Sequence, residues 1–168
     1  TNTMEPQDEI RGDNPLGKIT ALEVDDMVLF DSRTILDYLD ARAGGGKILP
    51  ASGPDRYAVM SMSALADGIL DAAVLVIYED RLRPEGMQVE SFVTFQRDKI
   101  IRGLQGIPME RYESGAMPDI AKIGVACALE YLDFRKQVEW RDHAPHLVEW
   151  KDGFAAAVPG YADTMPSD

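Results

Sequence analysis

Apolar positions along the chain follow two periods. Between Ile19 and Val24, and again between Met27 and Phe30, they fall in short runs separated by a tight turn at Asp25-Asp26, which predicts a strand pair. From Ser32 onward the spacing lengthens to three and four residues. Ile35, Leu36 and Leu39 predict a helix over 32–42, and Asp31-Ser32 stands where its N-cap belongs. Just upstream, Asn14-Pro15-Leu16-Gly17-Lys18 joins a proline that fixes φ to a glycine free to take positive φ, so it reads as the turn that feeds the first strand.

Helical spacing then runs to the C-terminus. Gly44-Gly45-Gly46 stops the first helix and opens a short connection, and Ser52-Gly53-Pro54-Asp55 has the cap, proline and acid of a helix start. The stripe Met62, Leu65, Ala66, Ile69, Leu70, Ala73, Val76 and Ile77 predicts a helix to about Leu82, before Pro84 and Gly86 break the chain. A second helix, about Gln88 to Leu104, turns Val89, Phe92, Val93, Ile100 and Leu104 inward, with Gln96 interrupting the face. After a turn-rich stretch to Ser114-Gly115, a third begins near Pro118 and runs to Leu132. Its stripe of Ile120, Ile123, Gly124, Cys127, Ala128 and Tyr131 makes Cys127 a core thiol. Residues 133–142 connect to a last helix over about Pro145–Val158, in which Leu147, Val148, Trp150 and Phe154 pack, and Pro159-Gly160 ends it. The chain is therefore mainly α, divided as 1–43, a linker 44–54, and a helical domain 55–168.

Composition narrows the function. In 168 residues, 45% hydrophobic content supports a real core. No apolar run approaches the ~18 residues of a membrane span and the N-terminus is polar, so no membrane partner and a cytoplasmic location are expected. A net charge of −12 argues against nucleic acid as a partner. A single cysteine excludes an intrachain disulfide or thiolate cluster, and His143 and His146 lack a third ligand, so no metal is expected. Gly44-Gly45-Gly46-Lys47 is not a phosphate loop, which would need Gly at Ala41 and Ser or Thr at Ile48. Arg97, Lys99 and Arg102 read as a solvated face. What remains is the helix start at Ser32. Its free N–H groups beside a hydroxyl and a carboxylate suit a ligand carrying both a carboxylate and an amine, and the same residues serve equally as a plain cap.

The segments NPLGK, the strand pair, FDSR and its helix ending in YLD resemble a bacterial glutathione S-transferase. So do DIA opening a later helix, YLDFR closing it, and Thr164-Met165-Pro166 near the end. The resemblance implies a β-hairpin-plus-helix remnant of a thioredoxin-like domain, followed by the family's all-helical C-terminal bundle. It further implies conjugation of glutathione to a hydrophobic electrophile. The strand equivalent to Ile19–Val24 is interior in the family's thioredoxin-like domain, so its open edge here leads to the expectation of a homodimer in which two copies pair through that strand. By the same resemblance Asp31 and Ser32 hold the γ-glutamyl group, Lys18 the glycyl end, and the backbone of Ile19 the cysteinyl residue. The family's opening β-α-β unit, which carries its thiol-activating Ser, Tyr or Cys, has no counterpart in this sequence. No catalytic residue is assigned, the chain alone is expected to be inactive, and a non-catalytic binding or scaffold module stands as the alternative. Thr20 replaces the family's cis proline, which leads to the expectation of a trans Ile19–Thr20 bond and re-aimed Ile19 backbone groups. Ala116 replaces the usual N-cap hydroxyl of the third bundle helix, with Asp119 kept three residues on.

Overall fold

A computed structural model describes residues 3–113 and 115–165. Ser114 of the expected turn and Pro166 of the closing motif lie outside them. The chain forms two compact units that divide between Ala51 and Ser52.

The first unit opens with a single helical turn, α1 (Ile10–Asp13), and continues through β1 (Leu22–Val24) and β2 (Met27–Leu29) to α2 (Ser32–Arg42). The strands pair antiparallel with Leu22 opposite Leu29 and Val24 opposite Met27. Asp25 sits at φ 50° in the turn between them, a backbone that Asp tolerates better than most residues. Both strands are shorter than their apolar runs suggest. Contrary to expectation, the Ile19–Thr20 bond is cis, as is Phe30–Asp31. The expectation weighed only the local preference of a non-proline amide, and the ground for re-aimed Ile19 backbone groups goes with it.

Asp40, near the end of α2, carries a role that sequence periodicity did not reveal. Its carboxylate accepts from the amides of Gly46 at 2.8 Å, Lys47 at 2.9 Å and Ile48 at 2.9 Å. The Ile48 amide foremost, with Lys47 and Gly46, holds the carboxyl below its usual range against the opposing effect of burial. The glycine stretch is thus folded back onto the helix it terminates.

The second unit is a bundle of α3 (Pro54–Leu82), α4 (Glu90–Gln105), α5 (Ile120–Arg135), α6 (Trp140–His143) and α7 (His146–Ala157), closed by a 3₁₀ turn at Ala162–Thr164. Helix α3 is long and apolar enough, by length and composition, to cross a membrane, which corrects the reading that no stretch approaches a span. One face of it, with Ala66, Ile69, Ala72 and Ala73, is buried in the cluster that α4, α5 and α7 complete. The neighbouring helices approach it closely. A methyl added at Gly103 of α4 would lie 2.7 Å from Ile69 Cγ1, and one at Gly124 of α5 would lie 3.2 Å from Ala66 Cβ. Buried Glu79 accepts from Arg83 Nε at 3.2 Å and from the Val89 amide at 3.0 Å, fixing the start of α4. Val89 itself is exposed rather than inward, and Gln96 is buried within the face it was expected to interrupt.

Helix α5 opens at Asp119-Ile120-Ala121, close to the expected start near Pro118, but its cap is not at position 116. Asp119 is itself the N-cap and accepts from the Lys122 amide at 2.9 Å, so the missing hydroxyl at Ala116 leaves no uncapped end. Its buried face holds Ala121, Val125, Ala128, Leu129 and Leu132. The stripe read as core is rotated outward by about one residue, and Cys127 is exposed rather than a core thiol. Two tryptophans, Trp140 and Trp150, are among the largest side chains fully buried. Trp150, Phe154, Tyr112 and Tyr161 form a chain of ring contacts, with centroids 5.0 Å apart for Tyr112 and Phe154. Beside it, Asp133 accepts from Trp140 Nε1 at 2.7 Å, Arg141 at 2.5 and 2.9 Å, and Lys151 at 3.0 Å. Lys151 also pairs with Glu130 at 2.6 Å, and Glu130 in turn accepts from the Tyr161 hydroxyl.

Candidate functional site

Asn14 organises the turn in the first unit. It is 2% exposed. Its side-chain carbonyl accepts from the Leu16 amide at 3.0 Å and its side-chain amide donates to the Lys18 carbonyl at 2.8 Å. A backbone bond from Gly17 to the Asn14 carbonyl, at 2.8 Å, closes the turn, and Gly17 takes the φ of +62° that it requires. Lys18 leaves this fixed turn exposed, and Ile19 is 67% exposed. Among the described residues, no hydrogen bond engages the Ile19 amide or carbonyl.

The other pair lies across the hairpin. Lys18 and Ile19 precede β1, while Asp31 and Ser32 follow β2. The antiparallel register brings both pairs to the same open end of the hairpin. Asp31 is the N-cap of α2 and accepts from the Arg33 amide at 3.1 Å. The Arg33 guanidinium also clasps it, with Nη2 at 2.8 Å from Oδ2. That side-chain bond, reinforced by the Arg33 amide, holds the Asp31 carboxyl below its usual range. Ser32 is the first helical residue and is exposed, so its hydroxyl and amide stand at the positive end of α2 with no intrahelical partner for the amide. Asp31 therefore does the capping, and Ser32 stands exposed beside it. Arg33 was missed in the sequence, although its place two residues after a cap acid was a readable signal.

Chemically, this end of the hairpin offers a carboxylate for an ammonium group, a helix N-terminus and hydroxyl for a carboxylate, a cation at Lys18, and an unpaired backbone segment at Ile19. Among the described residues, none there is assigned to take a proton from a thiol. Next to these residues in the chain, Leu16 and Phe30 are exposed apolar side chains.

The second unit contains a separate apolar cleft of about 470 Å³, walled by Leu70, Ile123, Cys127, Tyr131, Val158 and Met165. Its apolar walls, with Glu130 and Asp67 nearby, raise the Cys127 thiol above its usual range and keep it protonated. Burial, with Glu130 accepting its hydrogen bond, likewise pushes the Tyr161 hydroxyl up. Among the described residues, no group of His, Cys, Asp and Glu is arranged to hold a metal ion.

No family model matches the chain. Over 141 residues it is 35% identical to the uncharacterized GST-like protein YibF of Escherichia coli K12, a match that covers 81% of this chain and 69% of YibF. A solved structure of a glutathione transferase family member from Pseudomonas fluorescens Pf-5, with bound glutathione, shares 43% identity. It superposes with a TM-score of 0.84, covering 95% of this chain and 78% of that one. A glutathione S-transferase from Methylobacillus flagellatus KT with bound glutathione shares 34% identity at a TM-score of 0.85, covering 97% and 83%.

Proposed function

The chain belongs to the glutathione S-transferase family, and from that premise we propose that the open end of its hairpin binds glutathione. Asp31 and Ser32 take the γ-glutamyl end, the backbone of Ile19 the cysteinyl residue, and Lys18 the glycyl end. The observation that carries this reading is the division of labour at α2: Asp31 satisfies the cap while the exposed Ser32 keeps its donors at the helix N-terminus. Solved relatives with bound glutathione support it. The activity proposed for the site is conjugation of the glutathione thiol to an apolar electrophile. Activating a thiol needs a donor or base at the sulfur, and no residue here is assigned that task, so the chain alone turns over no substrate.

Two measurements test this. An NMR titration with glutathione should show weak binding, in the millimolar range, because a partial set of anchors must offset the full cost of association. Asp31→Asn keeps a capping side chain and removes the charge, so it should weaken that binding without unfolding α2. A turnover assay with a small aromatic electrophile should give no product. Turnover abolished by Ser32→Ala would show that the site is catalytically sufficient. Absence of glutathione binding at millimolar concentration would remove the reading altogether. The second reading, a non-catalytic binding module, is favoured by the apolar cleft of the helical unit. It predicts that an apolar fluorescent probe binds whether or not glutathione does.

A further inference from the structure

A cavity of about 320 Å³ opens in the helical unit between the end of α3, the first half of α4 and the turn that follows α5. We propose that it binds a small α-amino acid with an apolar side chain, its carboxylate facing Arg97, Arg135 and Lys136 and its ammonium facing Gln137. These four residues line the cavity, and so do Asp80 and Glu90. Among the described residues no ion pair engages any of the three cations or the two acids. Charges of both signs thus share one small volume without being paired off.

Two buried atoms define the group that fits. Gln137 donates its side-chain amide to the Ala73 carbonyl of α3 at 2.9 Å, which fixes its orientation and leaves its Oε1 buried without a donor. The Arg135 guanidinium lies over the Phe134 ring, 4.3 Å from its centroid, and 5.8 Å from that of Tyr131, with its Nε buried and lacking an acceptor. Each atom carries the desolvation cost of an unmade bond. An anion alone would leave Gln137 without a donor and meet the charge of Asp80 and Glu90, whereas a cation alone would leave Arg135 without an acceptor. A zwitterion satisfies both. Buried Val76 and Val93, with partly buried Ile77, add an apolar wall that suits an aliphatic side chain. Lys136 ends α5 at φ 54°, where glycine is the usual residue, and its amide donates to the Leu132 carbonyl at 2.8 Å.

The test titrates the whole chain with L-leucine and follows the NMR signals of the Arg135 Nε–H and the Gln137 side-chain amide. Both should move and saturate. 4-Methylpentanoate, which lacks the amine, and leucinamide, which lacks the carboxylate, should each bind about tenfold more weakly, as loss of a charge-assisted bond does. Lys136→Gly suits the left-handed backbone, so the end of α5 survives, and removal of its cation should weaken leucine about tenfold. Binding of 4-methylpentanoate as tight as that of leucine would make this a plain anion site, and equally tight leucinamide would make the cations bystanders; either overturns the proposal. Leucine binding unchanged by Lys136→Gly overturns it too. So do signals that stay fixed at tens of millimolar leucine, which would mean that the cavity holds water only.

Discussion

Replacing Asp133 with Asn separates charge from shape at the most heavily hydrogen-bonded carboxylate of the helical unit. Burial by itself would raise the carboxyl, but the bonds from Arg141, Lys151 and Trp140 outweigh it and hold the group at about 2 rather than 3.8. The side chain is only 24% exposed, so solvent screens these bonds incompletely. A difference of that size corresponds to ~2 kcal/mol of stability at neutral pH. Because the folded value lies below the unfolded one, this stability is present in full above the ordinary carboxylate range. It is lost as pH falls toward 2, with ~1 kcal/mol remaining at pH 3. Urea unfolding followed by tryptophan fluorescence reads the effect directly, because Trp140 and Trp150 are the chain's two tryptophans and both are buried in this unit. The parent and Asp133→Asn should differ by ~2 kcal/mol at pH 7 and converge as the pH is lowered. A gap that stays constant between pH 7 and pH 3 would refute the electrostatic account, and so would a gap at pH 7 no larger than that of an exposed surface pair.

Two further outcomes follow from capping and loop geometry. Asp40→Ala should sharply lower the hydrogen-exchange protection of the Gly46, Lys47 and Ile48 amides while leaving the amides of α3 unaffected. In the parent that protection should persist down through the usual carboxylate range, since the Asp40 carboxyl titrates below it. Asp119→Ala removes the side-chain acceptor at the start of α5 and should cost ~1 kcal/mol of bundle stability in the same urea assay, with Asp119→Asn recovering most of it.

The elements most legible in the sequence are those with a local physical signal. The Asn14–Lys18 turn, the hairpin at Asp25-Asp26, α2 and the proline-started α3 all stand near where residue chemistry put them. Boundaries and faces were harder, for identifiable reasons. Helix α5 is apolar on nearly every side, so periodicity did not say which stripe faces the core, and Cys127 was placed a step out of phase. The capping pattern points to position 116 for its N-cap, while Asp119 does that work three residues on. Asp40 looked like an ordinary helical acid because its partners, the amides of residues 46–48, have no signature in the side-chain sequence. The helix start at Asp31-Ser32 is legible in the sequence, but not its division into a residue that caps and an exposed first helical residue.

Where α4 and α5 meet α3 they present Gly103 and Gly124, and the side chains that fill the contacts are Ile69 and Ala66 of α3. This makes change in the bundle directional and ordered. Variation at these contacts is easiest to begin on α3, where a trimmed side chain leaves a gap, whereas an added methyl on its neighbours makes the facing side chain give way. Alanine at position 103 requires Ile69 to shift or to be shortened, while alanine at 124 asks a few tenths of an ångström of Ala66. The order of substitutions is therefore held more strictly at the α4 contact than at the α5 contact.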